Sequence, residues 1–374
     1  MTTALYLLAL LALAIYSYSQ IDLNLTLLQH PAFINFQNVM IQLGYFNRPS
    51  STLIYLIIIF LLFVFYIRIL AKAGRDHLSS RQLALPILGV VILGLISYPA
   101  FSHDFFNYLF DIRILTHYNL NPYQFRPLDF PADPWLRFMH WVHRPYPYGP
   151  FWLVLTFLPS VFGFGKFVLT LLNFKILFLT FYLGSIFLIK KILTRISPQK
   201  IALGVVFFAL NPLVIVEAVV SPHLDIVMAF FLLLSTYLLL STKRVLAILS
   251  LVLSAGVKFL TIVLLPVYFF RLPYDRTIKI LVVLLLLSLV PVIYQREFYP
   301  WYFLPIFSLL ALLAPQGKLL ILSLSASAGL LLSYAPYLYV GSYPPEVQQA
   351  KLIVTFLPLA LGLTIYGRKI FLQN

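Results

Sequence analysis

The chain contains no cysteine, which excludes a disulfide framework, an iron–sulfur cluster and a thiolate zinc site. Charge is scarce. Only 10% of the 374 residues are Asp, Glu, Lys or Arg, against roughly 25% in soluble domains. Acids are the scarcest, 11 against 26 Lys and Arg. No GxxxxGK[ST], GxGxxG or GxSxG pattern occurs, so nucleotide-driven transport, a dinucleotide fold and an α/β-hydrolase are unsupported. Asp-x-Asp, the pair that commonly holds a metal on a nucleotide-sugar diphosphate, is missing too. So is HExxH, which leaves His103, His140, His143 and His223 without a metal-site spacing; no metal or other cofactor is expected.

What is abundant is apolar sequence, 61% of the chain. It falls into about twelve runs, near residues 2–19, 52–70, 83–101, 167–189, 201–220, 223–241, 245–257, 258–270, 277–294, 300–314, 317–337 and 351–367. Most match the roughly 20 residues a helix needs to cross about 30 Å of hydrocarbon, and none alternates with the period of a membrane β-barrel. The expectation is an all-α polytopic membrane protein with about 12 transmembrane helices. The first run has no basic flank and no clear cleavage site, so it reads as a retained helix.

A net charge of +15 raises nucleic acid as a partner, but the placement of the charges argues against it. The links "RILAKAGRDHLSSR", "KKILTRISPQK", "STKR", "RLPYDRTIK", "QGK" and "GRK" hold 16 of the 26 basic residues, with only Asp76 and Asp275 as acids. By the positive-inside rule these links and both termini face the cytoplasm. Nine of the 11 acids then lie in the membrane or on the far side. This scheme requires residues 150–165, short and interrupted by Pro159, to be interfacial rather than spanning. The runs 245–257 and 258–270 are short and read as half-depth helices meeting at Lys258.

Four polar groups stand out. On a helix beginning near Asp104, the side chains of Asp104, Asn107, Tyr108 and Asp111 fall within about 100° of arc. Two readings fit: a solvated interfacial helix with Asp104 as N-cap, or carboxylates facing a reaction cleft. The second group, in "NPLVIVEAVVSPHLD", has Glu217 near the end of one run and His223 and Asp225 opening the next. Such groups are costly unless paired or functional. The third is Lys258, apolar on both sides, whose ammonium needs Glu217, Asp225 or a phosphate as its anion. The fourth is "YQREFYPWYFLP", with Arg296, Trp301 and Tyr302, which also suits an interfacial aromatic belt.

The blocks "HDFFNYLFDIRILTHYNLNPY", "YPYGPFW", "NPLVIVEAVVSPHLD", "GVKFLTIVLLP" and "YPWYFLP", spanning about residues 102 to 305, together resemble the GT-C glycosyltransferases, closest to polyprenyl-phosphate-mannose-dependent mannosyltransferases of prokaryotic envelopes. The resemblance implies a GT-C fold, with residues 1–72 as an added N-terminal hairpin, 73–374 as the catalytic domain and 102–165 as its outer loop. Ile112 departs from the Gly or Ala that relatives often carry there. In that family an Asp in the first outer loop is the proposed base, and the match is Asp104. His103, Asn107, Asp111, Arg144, Tyr148, Glu217, His223, Asp225, Lys258, Arg296, Trp301 and Tyr302 are the candidate substrate-binding residues. Lys258, with Arg296 or Arg144, would stabilise the leaving phosphate, and Tyr148, Trp301 and Tyr302 would stack on a sugar. The partners implied are a polyprenyl-phosphate sugar, an envelope glycan or glycolipid acceptor and membrane lipids, with no nucleic acid. The location implied is a prokaryotic plasma membrane with an extracytoplasmic site. A secondary transporter or lipid flippase is the rival from another class, though no internal repeat supports it; a membrane metallohydrolase is the third.

Overall fold

The computed structural model describes residues 1–75, 78–295 and 297–371, and among these no strand occurs. In chain order the α-helices are α1 (Thr2–Ser17), α2 (Pro31–Ile41), α3 (Arg48–Arg75), α4 (Ser80–Ile96), α5 (Asp104–Thr116), α6 (Pro150–Val161), α7 (Phe167–Ile196), α8 (Ile201–Ala209), α9 (Pro212–Ile215), α10 (Asp225–Leu240), α11 (Arg244–Val257), α12 (Tyr274–Gln295), α13 (Leu304–Leu313), α14 (Gly317–Leu332), α15 (Ala335–Val340) and α16 (Pro345–Phe371). Among the described residues six spans are long and apolar enough to cross a membrane: α1, α3, α7, α12, α14 continued by α15, and α16. A seventh results if the α8 and α9 segments, bent by 52° at their junction, are one broken span. The chain is a polytopic helical membrane protein.

The remaining apolar runs form helices of 10–17 residues, among them α4, α10, α11, the 3₁₀ stretch Phe259–Phe269 and α13 with its preceding turn. At 1.5 Å per residue they reach about 15 to 26 Å, short of a full hydrocarbon layer. The described residues therefore supply six or seven full-length spans where counting runs gives twelve. α6, 12 residues long with Pro159 inside it, is likewise too short to cross alone.

The break between α8 and α9 shows how the interior tolerates interrupted helices. Pro212 has no amide hydrogen and fixes the start of α9, so the last carbonyls of α8 lose their helical donors. Tyrosine hydroxyls replace them: Tyr66 donates to Phe207 O (2.9 Å), Tyr182 to Ala209 O (2.6 Å) and Tyr6 to Leu210 O (2.7 Å). The Asn211 side chain caps α9 through the Leu213 amide and accepts from Ser327. Three helices, α1, α3 and α7, thus converge on one break. A second such device is Lys175, buried in α7, whose ammonium donates to the carbonyls of Gly94 (2.6 Å) and Ser97 and so caps the end of α4. α1 and α3 are joined to the later helices by the Tyr6 and Tyr66 bonds and by Tyr55, which donates to Leu331 O (2.8 Å).

Candidate active site

α5 begins where the chain leaves α4 through Pro99. Its N-cap is His103, which makes no side-chain capping bond, and Asp104 is the first helical residue. The Asp104 amide donates to Ser102 Oγ at 3.2 Å. This corrects the reading of Asp104 as the cap. The solvated interfacial helix is corrected as well, because every residue from Phe105 to Ile114 is buried, Asn107, Asp111 and Arg113 included. The cause is cover on all sides. Phe105 packs on Phe174 and Phe178, Phe106 on Phe138 and Phe167, and Tyr108 on Tyr148, Trp152 and Phe178. Arg113 is held by Asp133 at 2.7 Å and lies 4.2 Å over the Trp135 ring.

Asp104 itself stays half-buried, and among the described residues nothing donates to or ion-pairs with its carboxylate. It lies within electrostatic reach of His223, Tyr108, Tyr148 and Asp111. Burial pushes the Asp111 carboxyl up to about 8; Arg144 opposes this and Asp104 adds to it. Asp111 is therefore neutral near pH 7, and Arg144 keeps its charge unbalanced by it. The Arg144 guanidinium stacks 5.0 Å over Trp141. Asn107 donates to Trp141 O at 3.1 Å, while its buried Oδ1 has no hydrogen-bond partner among the described residues.

The "YPYGP" turn carries Tyr148 to the opposite wall. The Gly149 amide donates to Val257 O at 3.1 Å, and a Cβ on Gly149 would stand 2.1 Å from Gly256 O. Only glycine permits that approach. Val257 ends α11, Lys258 is extended and a 3₁₀ stretch follows, so the helix break falls on the lysine.

Lys258 finds its anion in Asp225, the first residue of α10, with Nζ 2.9 and 3.0 Å from the two carboxylate oxygens. Of the alternatives for this lysine, the structure selects Asp225 over Glu217. Its ammonium also lies 4.4 Å over the Tyr302 ring. Asp225 is sealed at 1% exposure, whereas the lysine side chain keeps 24%.

Glu217 is on the π-helical turn Val216–Val220 and accepts from the Tyr334 hydroxyl at 2.8 Å. Its other oxygen is 3.2 Å from His223 Nδ1, yet both His223 nitrogens lack a hydrogen-bond partner among the described residues. The close approach is thus off the hydrogen-bond direction. The His223 ring stacks on Trp301 at 3.9 Å, and Tyr299 stacks on the same indole at 4.4 Å. Two parallel rings that near must take opposite faces, so Trp301 has no open face for a sugar. Its part is to hold His223, and the stacking role expected of it is corrected; the Lys258 ammonium covers one face of Tyr302.

Around His223, then, the fold gathers Asp104, Asp225 and Lys258, with Tyr108, Asp111, Arg144 and Tyr148 along the α5 side. His103 points elsewhere, stacking on His140 at 3.4 Å. Arg296 lies outside the described residues, and its neighbour Glu297 pairs with Lys351 at 2.7 Å. Tyr334, Asp133 and Lys175 were missed by sequence reasoning; their partners are 117, 20 and 78 to 81 residues away, and no local pattern could signal them.

Comparison with known families matches residues 8–272 to the family described as alpha-(1->6)-mannopyranosyltransferase, N-terminal domain. The match takes in Asp104, Arg144, Tyr148, His223, Asp225 and Lys258. No curated protein and no solved structure matches the chain. The chain therefore belongs to the alpha-(1->6)-mannopyranosyltransferase family, and it is a membrane glycosyltransferase that transfers mannose.

Proposed function

We propose that the chain transfers mannose from a polyprenyl-phosphate donor to an envelope glycan or glycolipid on the extracytoplasmic face of a prokaryotic plasma membrane. Its architecture in this reading is the GT-C fold, with the shorter apolar helices completing crossings in pairs. The observation that carries the reading is Asp104: a half-buried carboxylate with no ion pair among the described residues, beside the Asp225–Lys258 pair.

In one displacement, the acceptor hydroxyl oxygen bonds to the anomeric carbon as the bond from that carbon to the phosphate oxygen breaks. The hydroxyl proton passes to Asp104, and the electron pair leaves with the phosphate monoester. An α-linked product then requires a β-configured donor. General-base help of this kind contributes about 10²- to 10⁴-fold. The departing phosphate needs cations rather than a strong acid. Arg144 is one. Lys258 is the other, since two of its three donors serve Asp225. Among the described residues the His223 nitrogens and Asn107 Oδ1 are buried without a hydrogen-bond partner; leaving such groups unmet costs about 1–3 kcal/mol each, which sugar hydroxyls would relieve.

Sidedness has its own support. α10 starts at Asp225 in the site and runs to Leu240, capped by Ser241, near which lie Lys243, Arg244 and the Arg195 guanidinium on Tyr237. The basic links and the site therefore occupy opposite ends of one helix.

The test is the purified full chain in detergent, offered mannosyl phosphopolyprenol or GDP-mannose with an oligomannoside acceptor. Transfer from the lipid donor alone, without a membrane gradient, is expected. Transfer from GDP-mannose alone would overturn the donor assignment, and lipid movement across sealed vesicles without transfer would favour a flippase.

A further inference from the structure

Asp22, His103 and His140 come from three separate stretches: the loop after α1, the residue before α5 and the loop before α6. Their ligating atoms all lie within 4.8 Å of one another. His140 Nε2 is 3.5 Å from Asp22 Oδ2, and the two imidazoles stack with centroids 3.4 Å apart and planes at 16°. The surroundings hold this arrangement. Asp22 Oδ1 accepts the Asn24 amide at 2.8 Å, which leaves Oδ2 for the histidines. The Asp22 amide donates to the Tyr98 hydroxyl at 3.1 Å. Asn24 Nδ2 donates to Arg137 O at 3.2 Å, tying the first loop to the segment that carries His140.

The chemistry is that of a metal centre. Asp22 is buried with no Lys or Arg paired to it among the described residues. His103 makes no capping bond. Two imidazoles and a carboxylate suit a borderline transition ion better than magnesium or calcium.

We propose that Asp22, His103 and His140 bind one zinc ion. Bonds of about 2.0–2.2 Å in a tetrahedron set the ligand atoms ~3.3 Å apart, and the exposed His140 ring must rotate out of its stack on His103 for both in-plane lone pairs to reach one ion. Water takes the fourth position. The ion would fasten the loops before α2 and α6 to the residue preceding Asp104, and so hold the first turn of α5 in place; this consequence rests on the proposed role of Asp104, whereas the site itself does not. The long separation of Asp22 from the histidines explains why no metal spacing is visible in the sequence.

The test uses tag-free, chelator-treated full chain in detergent, titrated with zinc alone and, separately, with cobalt. About one zinc per chain is expected after desalting, with a rise in melting temperature and the visible bands of tetrahedral cobalt. His140→Ala and Asp22→Asn should each weaken zinc binding by more than about tenfold, while His143→Ala, outside the group, should retain it. A wild-type chain that keeps no zinc, or variants that bind it equally, would overturn the site. If either variant fails to fold, the wild-type stoichiometry and cobalt spectrum decide alone. None of these readouts measures transfer, so failure here leaves the mannosyl reading intact, and failure of that reading leaves the zinc site intact.

Discussion

Two helices of this chain open on nearly the same residues and meet different fates. α5 follows Ser102-His103 and begins with Asp104; α10 follows Ser221-Pro222-His223-Leu224 and begins with Asp225. Both carboxylates sit in a first helical turn, where unpaired amides favour an anion. Asp225 is sealed from solvent and clasped by Lys258. Asp104 is half-buried and unpaired among the described residues. The histidines differ too: His223 lies against Trp301 with its nitrogens unsatisfied, while His103 turns away to His140 and Asp22. The local motif is shared. What assigns each carboxylate its work is the partner brought from elsewhere: a paired one holds two helices together, and an unpaired one is available to take a proton.

The sharpest way to break this contrast is to strand Asp225. Lys258→Met should cost about 3 kcal/mol, the low end for losing one partner of a buried pair, because the lysine keeps some water. Thermal unfolding in detergent would register it. Adding Asp225→Leu to the same chain should recover much of the loss, since a well-packed apolar pair replaces a buried ionic one at little cost. Failure of the double variant to recover would mean that the pair is not what joins α10 to the Lys258 break.

A smaller effect is expected from Gly149→Ala. Its Cβ would meet a backbone carbonyl, so the turn must shift, at about 1–3 kcal/mol for crowding of this kind. Tyr148 and Arg144 would move with it, and kcat should fall more than the melting temperature suggests. Unchanged kinetics would separate that turn from the site.

Another test concerns pH. Asp111 titrates near 3.8 when unperturbed and about 8 in the fold, raised by burial. Between those values the folded chain holds a proton that the unfolded chain has released. Stability should fall as pH rises through that window and level off above it. Asp111→Asn should flatten this slope and raise the melting temperature at pH 8 more than at pH 5. A slope unaltered by the substitution would show that Asp111 is not the group responsible.

Much of this was legible in the sequence, for local reasons. The start of α5 follows from a proline and a polar step, and the break at Lys258 from one charge within an apolar run. Membrane class follows from composition. The number of full-length spans was less legible, since the run at 201–220 was read as one crossing although it bends by 52° at Pro212. Pairing was the least legible. The sequence left Lys258 among Glu217, Asp225 and a phosphate, and Asp22 and Tyr334 carried no signal, because each meets its partner only through the packing of distant segments. Trp301 was legible as an aromatic near the site but not as one with both faces covered.

The most direct measurement compares Asp104→Asn with wild type, both purified and both checked for melting temperature, in single-turnover transfer from mannosyl phosphopolyprenol. The account predicts a loss of about 10²- to 10⁴-fold in rate with folding and donor binding unchanged. Transfer at the wild-type rate by a folded Asp104→Asn chain would contradict it.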